Sequence, residues 1–488
     1  MDLTPTSLAK ILLPKTPMIL KIALFNTLSL SENASKQDLR TEITVAIIRS
    51  MISRRVTLGR AQRFGLKDPG IKGRMWIAKL TLPAPEDVEG PREALVRAIR
   101  ELGDGTETYT LPENRSVEGE WTGYRSGVDK NTPLPEISEK EKYTRMMSEV
   151  KSKVTVLYFH GGAYCMMDPS SYRPVTSHLA KLTQGRCFSV RYRLAPQNPF
   201  PAAILDGLVA YLSLLSPPAG AFHEAVPPMN IVFAGDSAGG NLALVLLQTI
   251  LTLRRVGIST VSFHGKDIPL DLPAGLSLQS PWCDIALTLP SIHRNANLDY
   301  LNPPTQSRLP SYPPDDVWPT KPPRVEIYTE ASTLAHPLVS PLATRSELWR
   351  GAPPIYMGLG NEGLEDEIAV VARRLHSAGV TVIFDGYEGM PHCFPMIFQG
   401  SIASKHCFTT WSNFCMEAIE GKVVKRETGT WMKAFTNPPA FDEVELSQIS
   451  AVTDAVADQG LLEARDKAMK LEHDLQETWR EQQAKSRL

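Results

Sequence analysis

One serine in this chain is set where it could act as a nucleophile. Residues 235–239 read Gly-Asp-Ser-Ala-Gly, a G-x-S-x-G pentapeptide centred on Ser237. So short a pattern recurs by chance, and its surroundings give it weight. The apolar run "NIVFA" precedes it and "GNLALVLLQTILTL" follows, so the motif closes a strand and opens a helix. Glycine two residues to either side lets the backbone pack too closely for a side chain. Ser237 would then stand above the strand's carboxyl end, at a helix N-terminus whose amides favour negative charge. That placement suits acyl transfer through a covalent serine intermediate.

Acyl transfer also needs donors aimed at the oxyanion of a tetrahedral intermediate. The stretch "HGGAY" (160–164) directly follows the apolar run "VTVLYF" and can present bare backbone N–H groups. Gly162 and Ala163 are the expected loop donors, Gly161 is the close alternative, and the N–H of Ala238 completes the set. Of ten histidines, seven follow Ser237, and His392 in "GYEGMPHCF" lies in a loop just past the strand-like run "VTVIFDGY". His392 is therefore the expected base. The orienting acid should come between them, in the chain order Ser, Asp/Glu, His. "GLGNEGLEDEIAV" (358–370) offers Glu362 in the turn after a strand, while Glu365, Asp366 and Glu367 read as first-turn acids of the next helix. Glu362 is the first choice and Asp366 the second. The cysteines and histidines show no metal-ligand spacing, so neither metal nor cofactor is expected.

These residues must be held by elements that the pattern also indicates. From about residue 110, short β-branched runs alternate with longer helical segments. Runs at 154–159, 187–192, 230–235, 275–280, 354–360 and 380–387 read as buried strands, with helices at 202–215, 239–256 and 365–378 between them. Near-continuous apolar strands alternating with helices predict an α/β fold, a mostly parallel sheet covered on both faces. "SVEGEWTGYR" (116–125) alternates more and suits antiparallel pairing at the sheet edge. Eight prolines within 302–323 rule out regular helix or central strand there and mark an insertion. Beyond 441, Leu446, Ile449, Val452 and Val456, then Ala468, Leu471, Leu475 and Trp479, keep helical spacing and predict two amphipathic helices. The chain thus divides into a helical N-terminal segment (1–110), a catalytic α/β domain (111–425) with a Pro-rich insertion (302–341), and a helical tail (426–488).

The two choices at His160–Ala163 and Gly235–Gly240, an HGG[GA] loop and a G-D-S-A-G-G elbow, together resemble the hormone-sensitive-lipase-like family of α/β-hydrolase esterases. "YRLAPQNPFPAAILD" (192–206), "SPWCD" (280–284) and "GYEGMPHCF" are similar to family stretches as well, so the resemblance covers about 110–420. It implies an α/β-hydrolase fold with N-terminal helices, roughly 15–105, as a cap over the site. It also implies a serine carboxylester hydrolase for short- to medium-chain acyl esters. In that reading Ser237 attacks, His392 takes the proton, Glu362 orients the imidazole and the loop amides hold the oxyanion. The family's acid is usually aspartate in D-x-L-x-D-E; this chain has glutamate in that first place, with a longer arm. The same residues would serve an amidase, deacetylase or lactone hydrolase, and a ligand-binding protein on this scaffold is the rival from another class.

Composition narrows the partners. With 42% apolar and 22% charged residues and a net charge of −1, nothing favours nucleic acid. A small-molecule ester is the expected partner, and a homodimer is left open. The six cysteines form no CxxC pair and fall largely in apolar runs, which predicts buried free thiols and a reducing, cytoplasmic compartment. No signal peptide is evident at the N-terminus. The stretch "PMILKIALFNTLSL" (17–30) carries Lys21 and is too short to span a bilayer; as a helix it places Met18, Ile22, Phe25 and Leu28 near one face. Packing on its own domain is the favoured reading, and peripheral contact with an internal membrane is the second.

Overall fold

The computed structural model describes residues 12–52, 56–86, 90–304 and 312–486. Ten strands form one sheet: β1 (Met75–Leu82), β2 (Val117–Tyr124), β3 (Thr155–Phe159), β4 (Arg186–Arg191), β5 (Ile231–Asp236), β8 (Gly275–Gln279), β9 (Ile355–Gly360), β10 (Val382–Tyr387), β11 (Thr428–Met432) and β12 (Phe441–Glu445). A separate hairpin, β6 (Thr260–Phe263) with β7 (Lys266–Pro269), lies between β5 and β8. The sheet order is β1-β2-β4-β3-β5-β8-β9-β10-β11-β12. From β4 through β11 neighbours pair in parallel, whereas β1, β2 and β12 pair antiparallel. This is the α/β-hydrolase arrangement, with all six expected buried strands in its parallel part.

The strand alternation divides the core in two. Leu157, Phe159, Phe233, Leu276 and Leu278 point to one face, where the helices Pro91–Leu102, Ala202–Leu215, Ala238–Arg255 and Glu365–Ser377 cover them. Val156, Tyr158, Val232 and Ala234 point to the other, against Pro169–Thr183 and Ile402–Ile419. Both faces are dry, which is why these strands read as unbroken apolar runs. All six cysteines are buried free thiols.

Two parts of the expected division are corrected. The segment 1–110 is not all helical: "MWIAKLTL" forms the edge strand β1, pairing in register with β2 from Met75–Tyr124 to Leu82–Val117. Residues 426–488 do not form two helices. "TGTWM" and "FDEVE" extend the sheet as β11 and β12, and the charged, exposed β12 blunts that edge. After β12 the chain makes only a 3₁₀ turn, Leu446–Gln448, so the spacing from Leu446 to Val456 is not that of a helix. One long helix then starts behind Thr453, whose side chain accepts from the Val456 N–H, and runs Asp454–Lys485. Its buried face is Ala457, Leu461, Ala464, Ala468 and Glu472. Glu472 accepts from the N–H groups of Val325 (2.9 Å) and Ala331 (3.1 Å), so the tail secures the end of the Pro-rich insertion.

Within that insertion, residues 305–311 lie outside the described residues. The described remainder holds no strand and only short turns of helix. Asp315 accepts from the Gly59 N–H at 2.9 Å, Trp318 packs with Leu58 and Cys165, and Tyr328 stacks on Tyr164 with ring centroids 3.8 Å apart. The insertion thereby clamps the helix Leu58–Gly65 against the loop that follows β3.

Candidate active site

Ser237 sits between β5 and the helix Ala238–Arg255 with φ +52° and ψ −121°, a backbone conformation that non-glycine residues rarely adopt. Its own backbone is tied on both sides. The Ser237 N–H donates to the Gln279 carbonyl (3.0 Å), and its carbonyl accepts from the Trp282 and Asn241 N–H groups (3.0 Å each). A Cβ on Gly239 would overlap the carbonyl oxygens of Phe159 and His160, so the helix can approach the β3 loop only with glycine there. The strain is therefore held by close packing, and it leaves Ser237 half-exposed at the head of the helix.

The "HGGAY" loop is anchored from below by Asp236. This buried carboxylate accepts from Tyr158 Oη (2.8 Å), Tyr172 Oη (3.0 Å) and the Gly161 N–H (3.1 Å). Burial raises its pKa to about 6, with the two tyrosines and His392 pulling the other way. One expectation is corrected here: the Gly161 N–H is occupied by Asp236 and is not free for an oxyanion. The N–H groups of Gly162, Ala163 and Ala238 donate to no acceptor recorded among the described residues, and Ala238, first in its helix, has none within the helix. Gly162 has φ +109° and its Cβ would collide with the Met166 carbonyl, so this turn requires glycine. His160 is stacked on Tyr192 (4.2 Å), and burial drops its pKa to about 4, leaving it neutral.

Glu362 and His392 meet across the ends of β9 and β10. His392 Nδ1 lies 2.7 Å from Glu362 Oε1. The other carboxylate oxygen accepts from Ser280 Oγ (2.5 Å) and the Gly360 N–H (3.1 Å). Both groups are buried. Burial pushes the imidazole down, but the charge and hydrogen bond of Glu362, with Asp299 and Asp236 behind it, outweigh burial and raise His392 above its ordinary range. Asp366 is engaged elsewhere, accepting from the Ser291 N–H (2.9 Å) and from Arg294 (2.7 and 3.0 Å). The partner recorded for His392 Nε2 is Cys393 Sγ at 3.4 Å; no hydrogen bond joins it to Ser237 Oγ. The two loops nonetheless abut, since Cys393 Sγ also lies 3.8 Å from Asp236 Oδ2. Nucleophile–base bonds that tighten only with substrate are common.

A matching family model for the alpha/beta hydrolase fold spans residues 156–396, from β3 past His392. An acetyl-hydrolase of Streptomyces hygroscopicus is 30% identical over 240 residues, 49% of this chain and 67% of that protein. An esterase of Acinetobacter venetianus is 30% identical over 255 residues, 51% of this chain and 71% of its own length. The chain belongs to the α/β-hydrolases. An EstE5 crystal soaked with p-nitrophenyl butyrate superposes with a TM-score of 0.52 at 20% identity, covering 77% of this chain and 98% of that one; it bears on the fold.

Two residues that brace this site belong to none of the catalytic motifs read from the sequence. Ser280, in the quoted stretch "SPWCD", joins the acid to the histidine loop: its Oγ donates to Glu362 and accepts from the Cys393 N–H at 3.1 Å. Asp299, fully buried, accepts from the Gly363 N–H (2.7 Å), the His392 N–H (3.0 Å) and the Tyr300 N–H (2.7 Å). It clasps the two loops that carry Glu362 and His392. Asp299→Asn would turn an amide donor toward one of these N–H groups and leave it unsatisfied, at a cost of about 1–3 kcal/mol. Denaturant unfolding should show that loss, and kcat/KM should fall roughly tenfold as the pair loosens. Unchanged stability and turnover would remove Asp299 from the account.

Proposed function

We propose that this α/β-hydrolase is a serine carboxylester hydrolase for short- to medium-chain acyl esters, working through a Ser237–His392–Glu362 triad and an acyl-enzyme. The observation that carries the reading is the buried Glu362–His392 hydrogen bond of 2.7 Å, on the same end of the sheet as the strained Ser237. Ser237 Oγ attacks the ester carbonyl carbon while His392 Nε2 accepts its proton. Glu362 fixes the tautomer with Nε2 unprotonated and stabilises the imidazolium that forms. The N–H groups of Gly162, Ala163 and Ala238 hold the oxyanion. His392 then returns the proton to the leaving alkoxide. Water, deprotonated by the same imidazole, releases the acid and restores Ser237.

The helices Leu39–Ile52 and Leu58–Gly65 serve as a cap. Gln37 donates to the Gly389 and Leu298 carbonyls (2.8 and 2.7 Å), Arg49 Nε to the Asp299 carbonyl (3.1 Å), and Gln62 to the Ala195 carbonyl (2.9 Å). These contacts set the N-terminal segment against both the histidine loop and the strand end beside the oxyanion loop. The buried free thiols favour a cytoplasmic setting.

A p-nitrophenyl ester series from acetyl to palmitoyl tests the reading. Acetyl and butyryl esters should turn over at least about tenfold faster than palmitoyl, in keeping with a relative named an acetyl-hydrolase. Faster turnover of the palmitoyl ester would overturn the short-chain preference. Turnover of anilides or lactones with no ester activity would move the protein to the amidase or lactonase reading.

A further inference from the structure

The N-terminal segment combines two properties. Among the described residues, twelve of the twenty-two exposed large apolar side chains fall within residues 12–66, about one-ninth of the protein. The helix Thr16–Thr27, sequence TPMILKIALFNT, has no buried residue at all. Met18 and Ile22 are half-buried, but Phe25 and Leu28, expected on the same packed face, are exposed. Leu20, Leu24 and Leu28, spaced four apart, form a stripe with 64%, 57% and 56% exposure, and Leu13 and Leu30 beyond the helix ends are equally open. Domains of this size normally keep such patches small unless they meet a partner.

The second property is charge. Residues 12–67 contain ten Lys or Arg against three Asp or Glu, a local balance of +7 in a chain whose net charge is −1. Lys21 lies within the apolar helix, and Arg60, Arg63 and Lys67 are exposed around Phe64, itself 61% exposed. Binding to an anionic lipid–water interface grows with the exposed apolar area it buries and with the nearby basic charge, and this segment offers both. At twelve residues the helix is about 18 Å long, too short to cross a bilayer. No helix among the described residues is long and apolar enough to span one.

We propose that the helix Thr16–Thr27, with the exposed basic side chains of the described N-terminal residues, forms a docking surface for an anionic lipid bilayer and lies flat in the interface. The leucine stripe enters the acyl boundary, and Lys21 with the exposed Arg60, Arg63 and Lys67 of the same segment meets the headgroups. Because this segment also holds Gly389 and Asp299 beside His392, docking brings the site close to the membrane surface. Membrane binding is read without substrate and is independent of the reaction.

Vesicle flotation of the full chain tests it. The vesicles are phosphatidylcholine alone, or with about 30 mol% phosphatidylserine, near physiological salt. The protein should float with the anionic vesicles at least about tenfold better than with the neutral ones. Leu20→Asp/Leu24→Asp/Leu28→Asp should lower anionic partitioning at least about tenfold while leaving the melting temperature in place, because more than half of each side chain is exposed. Lys21→Glu/Arg60→Glu/Arg63→Glu should weaken binding and flatten its salt dependence. Protein left unbound by both vesicles, or bound equally by the leucine variant, would overturn the proposal. So would a wild-type dimer that the leucine variant converts to monomer, which would assign this face to a second copy of the chain.

Discussion

Ser237→Ala lowers kcat on p-nitrophenyl acetate by about 10⁴-fold or more, with the fold intact. The size follows from what the substitution removes. Alanine keeps the Cβ and can keep the backbone bonds to Gln279, Trp282 and Asn241, so the elbow stays closed. No hydrogen bond is recorded from Ser237 Oγ, so deleting it leaves no buried partner stranded. Only the proposed nucleophile is lost. The Gly162, Ala163 and Ala238 amides remain, and a small residual rate above that of water is expected from them. A loss below about tenfold would mean that the measured hydrolysis uses another residue.

Glu362→Gln has the next largest effect, a drop of roughly 10²- to 10⁴-fold in kcat. The carboxylate serves three donors at once: His392 Nδ1, Ser280 Oγ and the Gly360 N–H. An amide has one oxygen, so its NH₂ must face either the imidazole, favouring the wrong tautomer, or two other donors. The pH profile adds a readout that mere loosening would not move. Glu362 stabilises the imidazolium, so wild-type kcat/KM should fall on acidification with a midpoint above the ordinary histidine value of about 6.5. Removing that charge destabilises the imidazolium, and the acidic limb should move to lower pH. A limb that stays in place would exclude Glu362 as the histidine's partner. Glu362→Asp restores the charge on a shorter arm and should keep the limb nearer its wild-type position.

The parallel strands were legible because burial on both faces leaves an unbroken apolar run, as in "VTVLYF" and "NIVFAG". The elbow and the Glu362–His392 pair were legible for a related reason: each follows a strand end, and strand ends in a parallel sheet share one edge. β1, β11 and β12 were not: the edge strands β1 and β12 carry mixed polarity, and β11 and β12 are only five residues long, so "FDEVE" reads as solvated chain until β11 supplies its pairing. The spacing of Leu446, Ile449, Val452 and Val456 fitted a helix by coincidence, because a 3₁₀ turn and a loop carry Leu446 and Val452 to the core by another path. Gly161 stood as the close alternative to Gly162 and Ala163, since nothing in the sequence shows that the Asp236 side chain occupies its N–H. Asp299 is a lone acid more than sixty residues before Glu362, and only the folded chain sets it under both loops.

The central claim is that Ser237 is the acylating residue, and covalent labelling tests it most directly. Purified protein is treated with a fluorophosphonate and the modified peptide is located by mass spectrometry, with Ser237→Ala alongside. The account predicts one phosphonyl adduct, on Ser237, absent from Ser237→Ala and strongly slowed in His392→Ala. A folded wild-type protein that takes up no label, or labels equally well in Ser237→Ala, would contradict it.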